Sequence, residues 1–152
     1  MKQLSLIFRD RRDQLFLRWQ EAMKSTVTDD YREVLESPIG LRIVGGLVEE
    51  TVNLSQAEPY EVAAIWKRVE QVTSEEAGRR ARLGFELDDV LAGLQALRLA
   101  MWRVVIDAQV TGDLPSAGET MDEMSQVDEF FDRLVRAEVR GYLAYTMADD
   151  ED

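Results

Sequence analysis

Carboxylates are the most abundant groups in this chain able to do acid–base or ligand chemistry, and they come in adjacent pairs: Asp29-Asp30, Glu49-Glu50, Glu75-Glu76 and Asp88-Asp89. Two carboxylates act together on a substrate only when they converge on it. Neighbouring helical positions point about 100° apart, so each pair reads as solvated charge rather than a catalytic dyad. The usual partners for such chemistry are missing. The chain has no histidine and no cysteine. That removes the general base of most hydrolytic triads, thiolate nucleophiles, zinc ribbons, the Glu-x-x-His di-iron motif, proximal-histidine haem and the phospho-accepting histidine of a kinase dimerisation domain. Gly45-Gly46 invites a phosphate-loop reading, but no strand precedes it and no Gly-Lys-Ser/Thr follows. No catalytic residue, metal site or cofactor is expected.

Composition narrows the classes further. With 152 residues and 45% hydrophobic content, the chain can bury one core, and residues 1–152 are expected to form a single domain. A formal charge of −12, from 30 acidic and 18 basic residues, repels phosphate. It argues against nucleic acid and anionic membrane as partners while favouring a basic protein surface. The opening MKQLSLIFRDRRDQ lacks the apolar core of a signal peptide. No run approaches the roughly 20 apolar residues of a membrane helix. A cytoplasmic location is the expectation.

The elements that must position any site are helical, and the chain is organised around Leu83 to Val110. Gly84 suits the left-handed position that ends one helix, and Phe85 and Val90 have the spacing of a hydrophobic staple around a boundary at Glu86. Glu86, Asp88 and Asp89 place negative charge where the macrodipole favours it. Leu87, Val90, Leu91, Leu94, Leu97, Met101, Val104, Val105 and Ala108 then recur at three and four, a wide apolar face. A second seam of Gln95, Leu99, Trp102, Ile106 and Val110 runs along roughly the opposite side, bordered by Arg98 and Arg103. A surface helix needs one seam. Two imply that this helix is sandwiched in the domain or shared with another subunit.

Before it, a first helix is expected from about Lys2 to Ser25, with Leu4, Ile7, Phe8, Leu15, Trp19, Ala22 and Met23 inward. Arg9, Arg11, Arg12, Asp13 and Arg18 fall on a solvated face paired with local acids. Thr26 to Asp30 reads as a turn and Tyr31 to Glu36 as a short helix. Ser37-Pro38 is an N-cap followed by proline at N1 and opens a helix to about Leu54. Its Gly40, Gly45 and Gly46 each cost about 1 kcal/mol relative to alanine, which predicts close helix approach or a kink. Pro59 opens the next helix, with Val62, Ala63, Ile65, Trp66, Val69 and Val72 inward, a bend at Thr73 to Glu76, and Arg79, Arg80 and Arg82 outward. Thr111 to Pro115 is a turn. A last helix from near Ser116 to Met147 precedes an acidic tail, Asp149 to Asp152.

No stretch alternates with period two, so the fold class is all-α, a bundle of about six helices ending in a long antiparallel hairpin. Both hairpin helices carry surplus apolar surface. That favours a homodimer in which two hairpins meet as a four-helix bundle, through Gln95, Leu99, Trp102, Ile106, Phe130 and Leu134. Trp19, Trp66, Met101 and Phe131 are candidates for an apolar pocket.

Certain stretches carry a family resemblance. Leu17-Arg18-Trp19 in the first helix, Ser37-Pro38-Ile39-Gly40 opening another, Gly84-Phe85-Glu86-Leu87-Asp88-Asp89-Val90-Leu91 opening the long helix, and Leu94 to Leu97-Arg98 after it resemble the amino-terminal domain of RsbR-type stressosome co-antagonists. Similar domains also stand ahead of bacterial sensor kinases. The resemblance implies a globin-like helical fold without haem, dimeric through its last two helices, acting as a sensory input module with an output domain or a protein partner downstream. The sequence departs from that arrangement in having no output domain after its last helix, which leaves an excised input domain and a stand-alone relative both open. The leading expectation is a non-catalytic signalling or regulatory input domain sensing a ligand or partner. A carrier of small apolar molecules is the alternative, and an enzyme ranks last.

Overall fold

The computed structural model describes residues 7–113 and 117–150, and every regular element among them is helical. A helical turn over residues 7–10 leads into α1 (Arg12–Thr26), followed by α2 (Asp29–Leu35), α3 (Pro38–Gln56), α4 (Pro59–Arg82), α5 (Leu87–Val110) and α6 (Ala117–Asp150). The expected start of the first helix at Lys2, the Leu114-Pro115 half of the turn and the tail end at Glu151-Asp152 lie outside the described residues.

The boundaries follow local chemistry. Ser37 Oγ accepts the Gly40 amide at 3.1 Å, capping α3 with Pro38 at its first position. α4 ends in a Schellman motif. Gly84 takes a φ of +90°, its amide donates to the Ala81 carbonyl at 3.0 Å, and the Phe85 amide donates to the Arg80 carbonyl at 3.2 Å. The α5 N-cap at Glu86 follows that motif directly, only Gly84 and Phe85 lying between it and the α4 C-cap at Leu83. The stretch Thr73 to Glu76, where a bend is expected, does not interrupt the helix. α4 runs unbroken over 24 residues, because Thr73 faces the core in the same row as Val69 and Ala77 and has no reason to cap.

One hydrophobic core draws side chains from all six helices. α5 packs chiefly on α1, and α6 chiefly on α4. α5 and α6 run antiparallel: Tyr142 Oη donates to the Phe85 carbonyl at 2.8 Å at one end, and Arg98 Nε reaches Asp128 at 3.1 Å nearer the other. The arginines at the start of and along α1 pair across the fold, and Arg18 also pairs with the local acid Glu21 at 3.5 Å, as expected of that face. Arg11 pairs with Asp113, Arg12 with Glu49 at 3.0 Å, and Arg18 with Asp107 at 2.9 Å.

Glycines mark two close approaches. A Cβ at Gly40 would overlap the Leu35 carbonyl, as the cost of glycine in a helix suggested, whereas Gly46 faces open space. The closer crossing is between α4 and α6, where a Cβ at Gly141 would overlap the Ser74 backbone. This contact brings the rows Val69, Thr73, Ala77, Arg80 and Leu134, Ala137, Glu138, Gly141 against one another.

Candidate functional site

Two places in the fold differ from ordinary core and ordinary surface. The first is the outward face of α5. Leu99 is 41% exposed and Ile106 50% exposed, and with the half-buried Trp102 they line an open groove of about 590 Å³. Arg98, Arg103, Arg18, Gln95 and Asp107 rim it. Trp102 is fixed from below, since its Nε1 donates to Asp128 Oδ1 at 3.2 Å, the same oxygen that accepts from Arg98. The groove thus has a rigid aromatic floor, apolar flanks and a rim carrying both signs of charge.

The second is inside. Arg80 is 5% exposed and Glu138 3% exposed, both far below what is usual for such residues. Arg80 Nη1 donates to Tyr31 Oη at 2.9 Å, and its guanidinium stands 5.5 Å from the centre of the Tyr31 ring. Gly93 on α5 makes room for Tyr31, whose ring a Cβ there would approach to 3.1 Å. The nearest carboxylate to Arg80 among the described residues is Glu76 at 3.8 Å, and Arg79 already grips that group at 3.1 Å.

Burial raises the Tyr31 phenol well above its ordinary value. It also pushes the Glu138 carboxyl up to about 8, with Arg80 opposing the shift. Glu138 is therefore mainly a neutral acid at neutral pH.

Four buried polar atoms have no hydrogen-bond partner within the described chain: Trp19 Nε1, Thr73 Oγ1, Arg80 Nε and Glu138 Oε2. All four residues line one cavity of about 30 Å³ among α1, α4, α5 and α6. α3 closes it with Ile43, Val44 and Leu47, and Ile43 and Glu76 are the part-exposed members of its wall. An isolated unpartnered group costs about 1–3 kcal/mol, so four around a single space form a built feature of the core.

The residues expected to form sites are distributed differently. Gln95, Leu99, Trp102 and Ile106 do share the α5 groove. Phe130 and Leu134 do not, because they are buried in the chain's own core, Phe130 between Trp66 and Phe131. The proposed apolar pocket does not assemble. Trp19 lines the polar cavity, Trp66 lies under Arg133 at 4.3 Å in a shallow surface groove, and Met101 and Phe131 are packed core. Arg80, expected outward with Arg79 and Arg82, points inward because it continues the row of Thr73 and Ala77 at helical spacing. Among the described residues, no three carboxylates gather where a metal ion would sit.

The model of one protein family, the RsbT co-antagonist protein rsbRD N-terminal domain, matches residues 13–147. The chain belongs to that family, which makes it a stressosome-related regulatory signalling domain. No curated protein and no solved structure matches it.

Proposed function

We propose that residues 1–152 act as one non-catalytic input domain, globin-like and without haem, that works as a homodimer and senses a ligand or partner for a protein output. The observation carrying this reading is the α5 groove. A helix already packed on α1 along one face keeps Leu99 and Ile106 exposed on another, around a fixed Trp102. Exposed apolar groups arranged around a rigid aromatic, with polar residues at the rim, are the anatomy of a protein interface. Arg98 and Arg103 beside Asp107 make that rim able to complement a second copy of itself.

Family membership favours a protein partner, and the charge of −12 disfavours nucleic acid and anionic lipid. No helix among the described residues is long and apolar enough to cross a membrane. The proposed site of action is the cytoplasm. A carrier of apolar molecules is less well supported, since the residues that would line its pocket are packed into the core.

The chain has no cysteine, so Ile106→Cys gives one thiol per copy for a spin label. Dipolar coupling between labels on two copies is the expected result. Its absence at high micromolar protein would contradict the dimer.

A further inference from the structure

We propose that the cavity among Trp19, Thr73, Arg80 and Glu138 is a binding site for a short-chain carboxylate of the size of formate or acetate. The donors come first. An indole N–H and a guanidinium N–H can only donate, and a hydroxyl can donate as readily as accept. Trp19 Nε1, Arg80 Nε and Thr73 Oγ1 all lack partners within the chain and all line this space. Three unpartnered groups able to donate, on buried side chains that line one space, select an acceptor-rich ligand.

Charge makes that ligand an anion. Arg80 stays protonated wherever it is placed, and a buried cation needs a counter-charge close by. Glu76 is 3.8 Å away and already engaged with Arg79, and no ion pair joins Arg80 to Glu138 within 4 Å among the described residues. Glu138 is itself kept largely protonated by burial, so it faces the cavity as a neutral acid able to donate. Tyr31, the remaining titratable group on Arg80, is held neutral.

Size and shape choose among anions. A space of about 30 Å³ is far below the roughly 300–1,000 Å³ of ordinary small-molecule pockets, which suits a ligand of very few atoms. The rest of the lining is largely aliphatic, with Val44, Leu47, Leu94 and Leu97. A carboxylate with a hydrogen or methyl at its far end matches both parts of the lining, its oxygens on Arg80, Trp19 and Thr73 and its apolar end on the leucines. Ile43 on α3 and Glu76 on α4 are the part-exposed members of the lining, so entry is expected between them. The proposal names a ligand class for the sensory reading above. Only the step from occupancy to signalling rests on that reading, and binding itself does not.

The test uses the tryptophans. The chain has three, and the side-chain N–H of each gives a separate signal in a nitrogen-15-labelled sample. Titration with sodium formate or acetate, at constant ionic strength against sodium chloride, should move the Trp19 signal saturably while Trp66 and Trp102 stay in place. Thr73→Val keeps the shape and removes one donor, and is expected to weaken binding about tenfold, the loss of one hydrogen bond to a charge. Arg80→Lys should weaken it further by losing Nε.

The absence of a saturable Trp19 shift would overturn the proposal. So would an equal shift with chloride alone, or unchanged affinity in a folded Thr73→Val protein. If Arg80→Lys fails to fold, the Thr73 variant decides. Sedimentation of the same samples reads the dimer separately, so a monomeric protein that binds formate would refute only the dimer.

Discussion

The Arg80 guanidinium and the Tyr31 hydroxyl, 49 residues apart in sequence, meet at 2.9 Å inside the core and join α4 to α2. α2 is a helix of seven residues, too short to hold itself in place, and this bond together with the Tyr31–Phe85 ring contact at 5.0 Å anchors it.

Tyr31→Phe keeps the ring and removes the acceptor. It leaves a second buried nitrogen of Arg80 without a partner, at a cost of about 1–3 kcal/mol. Urea unfolding should show the loss as a lower midpoint with little change in slope. An unchanged midpoint would mean that Arg80 finds another acceptor.

Stability should depend on pH through Glu138. Burial raises its folded-state value to about 8, whereas an unfolded glutamate titrates near 4.3. Between these values the folded state holds a proton that the unfolded chain has released. The stabilisation is therefore complete below about pH 4 and is lost as pH rises through about 8, at up to roughly 1.4 kcal/mol per pH unit. Arg80, with Tyr31 and Glu76 beside it, opposes the upward shift of Glu138 and so narrows this pH window from its upper end, an effect already contained in the value of about 8. Glu138→Gln should flatten the stability profile over this range, and the comparison is made by unfolding both proteins in mildly acidic and mildly alkaline buffer.

Two glycines predict opposite outcomes. Gly141→Ala drives a methyl into the Ser74 backbone, and forcing α4 and α6 apart should cost about 1–3 kcal/mol or more. Gly46→Ala meets nothing within 4 Å and should stabilise α3 by about 0.5–1 kcal/mol. Thermal unfolding of the pair compares a packed glycine with a free one.

The fold was legible where a local cause acts alone. Ser37-Pro38 and Gly84 set their boundaries through capping and a positive φ, both properties of a few adjacent residues. The α5 groove was legible too, because a second apolar row on one helix is visible as spacing. The cavity was not. Glu138 follows Leu134 by four and precedes Gly141 by three, so its row marks it as inward, but the surrounding apolar pattern drew attention away from a charged residue. Arg80 was obscured by the neighbouring Arg79 and Arg82, which do lie further out. Gly141 gave no local sign, since its meaning depends on Ser74 of another helix. Phe130 and Leu134 were misplaced because periodicity shows that a face is apolar, not which neighbour covers it.

The dimer is tested most directly at the exposed positions, since Trp102 also holds Asp128 within its own chain. Leu99→Arg and Ile106→Arg put a third positive charge beside Arg98 and Arg103 without opening the core. Sedimentation equilibrium, with far-ultraviolet circular dichroism on the same samples, should give wild-type protein at twice the chain mass of 17.4 kDa and both variants at the single mass with helicity unchanged. A wild-type protein that is monomeric at high micromolar concentration, or variants that associate as tightly as wild type, would contradict the α5 interface.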